Sequence, residues 1–179
     1  GAAGITDIGG SVLGVNWGRW ADGYTYNNNG NITQNISDMH YVYSENLTTP
    51  AELLQIAALG GLVGNVDYNY AGGTTPTNMA GQAAQLGPTQ IQAQADFLAG
   101  QLNYYKVHVI DRATSLKMGA TNVSFSDMRE FQLQNDGCSV ASCVGQASAV
   151  FIGQKAEGIA TTYSVMDAAQ PGVGGNGAG

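Results

Sequence analysis

The stretch that decides the fold class is residues 138–165, C-S-V-A-S-C-V-G-Q-A-S-A-V-F-I-G-Q-K-A-E-G-I-A-T-T-Y-S-V. Two strand-like runs, Gln146 to Ile152 and Gly158 to Met166, flank the turn G-Q-K-A-E. Apolar runs that flank a glycine-containing turn are typical of a β-hairpin. We therefore predict the end of an antiparallel barrel or sandwich, with Gly153 and Glu157 as structural residues of its last turn.

Strand-like alternation continues through most of the chain. Residues 91–97 read I-Q-A-Q-A-D-F, in which apolar and polar residues alternate as in a half-buried strand. We predict a partner strand at Leu102 to Ile110, joined through a turn at Gly100, and a further turn at the run N-N-N-G-N, residues 27–31. Other strands are predicted at Ser11 to Trp20, Ile32 to Tyr43, Leu62 to Tyr70, Ser115 to Met118 and Asn122 to Phe125.

One helix interrupts this pattern. Thr49, Pro50 and Glu52 supply a hydroxyl N-cap, a proline at the first helical position and a carboxylate three residues after the cap. The run L-L-Q-I-A-A-L follows, and Gly60-Gly61 ends it. We therefore predict one short α-helix near residues 50–60. Its apolar face is expected to plug one open end of the barrel; a gate over a ligand cavity is the alternative.

The composition is that of an exported β-protein. The chain has 179 residues, 26 glycines and only 11% charged residues, whereas globular domains usually have about a quarter. The net charge of −7 with six basic residues excludes a nucleic-acid partner, because phosphate binding requires clustered Lys and Arg. No apolar run is long enough to span a membrane. The opening G-A-A-G-I-T lacks the features of a signal peptide, so we expect an export signal to have stood upstream.

The two cysteines, Cys138 and Cys143, predict a local disulfide. A zinc site would need a second such pair or nearby histidines, and His40 and His108 lie in distant strand-like runs. Closing so short a loop contributes about 2 kcal/mol in the chain-entropy model. The disulfide implies an oxidising compartment, so we expect an extracellular or cell-surface protein, with the periplasm as the alternative.

Trp17, Arg19 and Trp20 are predicted as structural residues of the first strand. Trp17 and Arg19 share one strand face and Trp20 takes the other, so one ring should enter the core while the other stays at the rim. Pairing of Arg19 with an acidic side chain would fix the strand register. Stacking of Arg19 on an aromatic ring is the alternative.

Five segments in this order carry a resemblance to a known family. They are V-N-W-G-R-W at 15–20, H-Y-V-Y-S-E-N-L-T-T-P-A-E-L-L at 40–54, V-D-Y-N-Y-A-G-G-T-T-P-T-N-M-A-G-Q at 66–82, I-Q-A-Q-A-D-F at 91–97, and C-x4-C-x-G with F-I-G-Q-K-A-E at 138–157. From Val12 to Asp167 the chain resembles the β-barrel domain at the C-terminus of many FecR-domain-containing proteins of Gram-negative bacteria. That domain is similar to the barrels of transferrin-binding-protein-B-like surface lipoproteins. The resemblance implies an exported, all-β, antiparallel eight-stranded barrel with a filled interior, and it carries over no catalytic residue.

The residues themselves also predict no enzyme, cofactor or metal site. His108 and Asp111 are close in sequence, but side chains three residues apart on a strand point to opposite faces. No G-x-S-x-G or H-E-x-x-H motif occurs. The aspartates are scattered without the spacing of a calcium loop, which leaves one adventitious calcium site as the alternative.

The two ends are glycine-rich. We divide the chain into an N-terminal segment 1–10, a barrel domain 11–168 and a C-terminal tail 169–179. Both ends are expected to be mobile in a free monomer and to become ordered against neighbouring copies. We therefore expect a homo-oligomer in which the N-terminal segment adds a strand to a neighbour. The expected function is a non-enzymatic structural or interaction module at the cell surface, assembling into an extracellular filament or layer; the alternative is a soluble barrel that binds a small ligand or a host protein.

Overall fold

The computed structural model describes residues 4–10, 13–21, 24–28, 31–36, 38–58 and 64–179. This part of the chain consists of antiparallel β-sheets and one short α-helix. The strands are β1 Gly4–Gly10, β2 Val15–Ala21, β3 Tyr24–Asn28, β4 Asn31–Ile36, β5 Met39–Ser44, β6 Asn65–Asn69, β7 Gln85–Asp96, β8 Gln101–Asp111, β9 Thr114–Ser124, β10 Phe131–Asn135, β11 Cys143–Ile152, β12 Gly158–Asp167 and β13 Gln170–Ala178, and the helix is α1 Pro50–Ala58.

The main sheet contains eight strands, β6 to β13, and each pairs with the next along the chain. The predicted last hairpin is confirmed, because β11 and β12 pair without interruption from Cys143↔Asp167 to Ile152↔Gly158. The hairpin of β7 and β8 around Gly100 is also confirmed. The two strands predicted at 115–118 and 122–125 are one strand, β9. The intervening G-A-T breaks the apolar pattern but stays paired with β8 through its backbone.

The main sheet curls around its own core. Tyr105 of β8 and Thr161 of β12 have three strands between them in the sheet, yet their hydroxyl oxygens are 2.9 Å apart. Among the described strands no sheet is closed into a barrel, because β6 and β13 at the two ends of the main sheet are not paired. The chain after β6 nevertheless lies along β13: the Thr74 amide donates to the Ala178 carbonyl at 2.8 Å. The predicted antiparallel all-β class is confirmed, and the closed barrel is not.

The C-terminal segment assigned to a tail is a strand of the main sheet, β13, which pairs with β12. Side chains from the core lie close above two of its glycines, Gly175 and Gly177. A Cβ at Gly175 would lie 2.7 Å from Val109, and one at Gly177 would collide with the hydroxyl of Tyr163. Glycine is therefore required here by close packing. The core itself is apolar, and its fully buried side chains include Leu102, Tyr105, Val107, Val109, Leu116, Met118 and Val165.

A small sheet of three strands, in the order β1-β2-β5, packs against the main sheet. Val15 of β2 forms a second apolar cluster with Ile152 and Ala160, which belong to β11 and β12. The run Ile32 to Tyr43, predicted as one strand, is two strands, because the chain changes partner between β4, which pairs with β3, and β5, which pairs with β2. The turn predicted at 27–31 lies between β3 and β4, and its residues 29–30 are outside the described residues.

The predicted helix is α1, and its start follows the capping pattern. The Thr49 amide donates to the Glu52 carboxylate at 2.7 Å, and the Glu52 amide donates to the Thr49 hydroxyl at 3.2 Å. Leu53 and Ile56 pack against the main core, whereas Leu54 is 72% exposed. The helix therefore contacts the core through one narrow face. The predicted end at 60–61 lies outside the described residues.

Candidate functional site

The two tryptophans of β2 differ in burial. Trp17 packs on the second apolar cluster, and its ring lies against Gly9 and Gly72. Trp20 is 37% exposed. Arg19 Nη1 donates to Asp38 Oδ1 at 2.7 Å, next to the register pair Arg19↔His40. This ion pair joins β2 to the residue before β5.

His40 connects the small sheet to the chain that follows β6. Its Nδ1 is 2.7 Å from the hydroxyl of Thr74 and its Nε2 is 2.7 Å from the hydroxyl of Thr77. Both threonines are buried and both bond to β13 through their backbones. Burial, followed by the charge of Arg19, lowers the pKa of His40 to about 4. At neutral pH the ring is therefore uncharged, and one of its nitrogens donates while the other accepts.

Asp111 holds β8, the loop before β7 and β13 together. The carboxylate is buried and accepts hydrogen bonds from the Asn78 side chain at 3.3 Å, the Gly174 amide at 3.0 Å and the Arg112 guanidinium at 3.2 Å. Burial raises the pKa of the Asp111 carboxyl, but the bonds from Arg112 and Gly174 outweigh it and hold the pKa below its ordinary value. His108 instead bonds to Ser115 at 2.8 Å, so the two side chains have separate partners, as the alternation predicted.

The predicted disulfide Cys138–Cys143 is present, with a Cα–Cα distance of 6.6 Å, and it closes the loop between β10 and β11. In the turn between β11 and β12, Gly153 has a φ of +84°, a conformation that favours glycine. The Glu157 carboxylate folds back over Gly153 and accepts the Lys155 amide at 3.0 Å. Both residues thus lie within the turn and contact each other.

A cleft of about 220 Å³ lies between β6 and β12. We call it the seam; its walls are residues 67–72 and residues 157–161. The rings of Trp17, Tyr68 and Tyr105 contribute to its lining. Burial raises the pKa of Tyr68, whose hydroxyl donates to the Ala156 carbonyl at 2.7 Å, so this ring is held in place as a neutral donor. Sequence reasoning missed the seam, because its walls are about ninety residues apart in the chain.

The second exposed feature is β1, the first strand of the small sheet. It pairs with β2 on one side, and its other edge has no partner strand among the described residues. Ile5 and Ile8 are 44% and 71% exposed. Asp7 has a φ of +55° at a break in the register, and its carboxylate accepts the Thr75 amide. The strand is therefore anchored at its middle and presents apolar side chains at its surface.

In the part of the chain that the structure describes, no group of three or more His, Cys, Asp or Glu side chains is arranged to hold a metal ion. The same residues include no helix that is long and apolar enough to cross a membrane. Comparison of the chain with protein-family models, with curated proteins and with solved structures finds no match.

Proposed function

We propose that this protein is a non-enzymatic, exported interaction module that self-associates at the cell surface through β1. The observation that carries this proposal is the outer edge of β1, which has no partner strand among the residues that the structure describes, with Ile5 and Ile8 exposed beside it. An open strand edge offers a row of backbone donors and acceptors to another chain, and exposed apolar side chains add to its attraction. A net charge of −7 on 179 residues, with few charged groups, opposes association only weakly.

Pairing of β1 with β1 of a second copy gives a two-fold dimer, because the same edge is used on both sides. This arrangement keeps β1 in its own sheet, as the structure has it. Such a dimer uses the edge of β1 in both copies, so an extracellular filament or layer requires a second interface between dimers. The location at the cell surface is supported by the disulfide, by the low charge and by the resemblance to the barrel domains of FecR-domain-containing proteins.

We propose that the main sheet is an eight-stranded barrel that is interrupted between its two end strands, β6 and β13. Support comes from the chain after β6, which bonds to β13 at two places: Thr74 to Ala178 at 2.8 Å, and Thr77 with Asn176 at 2.8 and 3.0 Å. These bonds join the two end strands of the sheet along part of their length. The seam lies where such bonds between the two ends are absent among the described residues.

Mass measurement in solution tests the proposed function. Size-exclusion chromatography with light scattering should give dimer or larger species at about 100 µM for the unmodified protein, and monomer for the Ile8→Lys variant, whose charge would be buried at the pairing edge. The matched control is Leu98→Lys, because Leu98 is 82% exposed and lies in the β7–β8 turn. A monomer at every concentration, or equal effects of both substitutions, would contradict the proposal.

A second candidate function, binding of a small ligand or a host protein, is favoured by the seam and its aromatic lining. Titration of compounds against the fluorescence of Trp17, which lines the seam, tests it. A saturable change that Trp17→Phe abolishes and Trp20→Phe preserves is the expected result.

A further inference from the structure

The main sheet has a pit over Gly119. This residue of β9 is the register partner of Lys106 on β8 and of Gln134 on β10. Register partners point to the same face of a sheet, so two long side chains stand on either side of a residue that has none. The pit has a volume of about 200 Å³, and Thr121 and Asp136 contribute to its walls. We call it the Gly119 pit.

The Gly119 pit lies on the outer face of the sheet. Val107, Met118 and Leu133, which are the sequence neighbours of the three residues in this row, are buried. Successive side chains on a strand point to opposite faces, so the row itself faces outward. The strands around the pit belong to residues 64–179, a range that the structure describes without a gap.

The walls of the pit carry hydrogen-bond donors and acceptors. Lys106 Nζ lies 3.2 Å from Asp136 Oδ2, so the two charges at the pit cancel. The side chains of Gln134 and Thr121 are exposed, and neither has a hydrogen-bond partner among the described residues. The Gln134 amide and the Thr121 hydroxyl are therefore available to a ligand.

An aromatic ring lies beside the pit. Tyr104 stands two residues before Lys106 on β8 and shares its face. The Tyr104 hydroxyl donates to Asp67 Oδ1 on β6 at 3.3 Å, so this side chain crosses β7 along the surface of the sheet. The Lys106 ammonium is 5.8 Å from the centroid of the ring. The ring therefore borders the pit, and together they form one surface.

The chemistry of this surface selects a class of ligand. An anion would be repelled by Asp136 and Asp67, and an apolar ligand would leave the amide and hydroxyl groups unpaired. A peptide strand binds to a strand edge, but Gly119 is paired on both sides, with β8 and with β10. A neutral sugar fits, because each hydroxyl both donates and accepts a hydrogen bond and the CH face of the ring stacks on an aromatic ring.

We propose that the Gly119 pit binds one sugar unit of a neutral extracellular glycan, and that the next unit stacks on the ring of Tyr104. A volume of about 200 Å³ is below the ~300 Å³ at which pockets for drug-sized ligands begin, and it suits a single sugar ring. Gln134 and Thr121 bind sugar hydroxyls, while Lys106 donates and Asp136 accepts. The proposal goes beyond self-association through β1, which uses the small sheet.

Titration of neutral oligosaccharides into the full chain tests the proposal. The probes are cellohexaose, maltohexaose, mannohexaose and N-acetylchitohexaose, observed by amide NMR shifts. We expect saturable binding of at least one of them with a Kd of about 1 mM or below, and the largest shifts at Gly119, Thr121 and Gln134. Oligogalacturonate, which is acidic, should bind more weakly. Absence of shifts at these amides with all four probes at about 10 mM would overturn the proposal.

Two glutamines of β10 supply matched variants. Gln132 and Gln134 are both exposed, and Gln132 is outside the lining of the pit. Gln134→Ala should weaken binding of the hexasaccharide about fivefold, because it removes hydrogen bonds to the sugar. Gln132→Ala should leave binding unchanged. Equal affinities of the two variants would refute the assigned site, and tighter binding of oligogalacturonate than of every neutral probe would refute the ligand class.

The role of Tyr104 is tested by ligand length. The hexasaccharide should bind at least about threefold more tightly than its monosaccharide, because the second unit stacks on the ring. Tyr104→Ala should remove this preference. Tyr104→Phe should keep it, because Phe retains the ring and loses only the bond to Asp67. Equal losses in both variants would contradict stacking. Ile8→Lys should leave glycan binding unchanged, so this proposal and the proposed function fail separately.

Discussion

The two glycine-rich ends of the chain have similar composition and opposite surroundings. β13 has β12 on one side and the chain after β6 on the other, and the side chains of Val109 and Tyr163 cover Gly175 and Gly177. Within the described ranges, β1 has β2 as its one neighbouring strand, and Ile5 and Ile8 are exposed. Glycine therefore serves close packing in β13, whereas β1 remains an accessible edge. The environment, more than the composition, decides whether an end completes the fold or offers an interface.

Deleting each end in turn should give the largest difference in stability between variants. A variant without residues 170–179 loses the whole strand that pairs with β12 and the bonds to Thr74 and Asp111, and should lose its cooperative unfolding transition. A variant without residues 1–10 should keep a folded main sheet. Urea unfolding followed by circular dichroism distinguishes the two; equal stability of both deletions would contradict the assigned roles.

Replacing a closely packed glycine of β13 should cause the next largest loss of stability. Gly177→Val drives a side chain into Tyr163 and should lower the free energy of unfolding by about 3 kcal/mol. Gly172→Val is the control within the same strand, because a Cβ at Gly172 meets nothing within 4 Å. Chemical denaturation gives both values. A loss at Gly172 as large as that at Gly177 would mean that β13 is not packed as described.

The two tryptophans extend the comparison to the small sheet. Trp17→Ala removes the ring that packs on Val15 and Ile152, and should cost about 2–3 kcal/mol. Trp20→Ala should cost less than about 1 kcal/mol, because the ring is 37% exposed. Thermal and urea unfolding measure the difference. If both substitutions are neutral, the assignment of β2 is wrong.

His40 should make the attachment of the small sheet depend on pH. Its pKa is lowered from 6.5 to about 4, so the unfolded chain binds the proton more readily. The neutral His40 ring contributes about 2 kcal/mol to the free energy of unfolding, after allowance for solvent screening. This contribution is fully present above pH 6.5 and is lost as the pH falls to about 4.

Unfolding free energies measured from pH 7 to pH 4 check this contribution. His40→Gln should flatten the profile, and His108→Gln should flatten it less, because burial lowers the pKa of His108 as well but by a smaller amount. Arg19, Asp38 and Asp7 are the charged groups near His40, and the Arg19 charge adds to the lowering. A profile that keeps its slope in the His40 variant would rule out this attachment.

Local patterns in the sequence predict local structure, but they do not predict pairing between distant parts of the chain. The β7–β8 and β11–β12 hairpins, the capped helix and the disulfide all follow from residues close in the chain. The bond of His40 to Thr74 and Thr77 does not, because it depends on how two sheets pack. β13 was missed for the same reason. Its glycine-rich sequence is typical of a mobile tail, and the side chains that cover its glycines come from distant parts of the chain.

Whether β1 is the edge through which this protein associates is tested by hydrogen exchange of the two end strands. The exchange is measured by mass spectrometry at about 1 µM and about 100 µM protein. We expect the amides of β13 to be protected at both concentrations, and the amides of β1 that face away from β2 to become protected only at the higher one. Protection of β1 that is independent of concentration, in a protein that stays monomeric, would contradict the claim that β1 is the edge through which this protein associates.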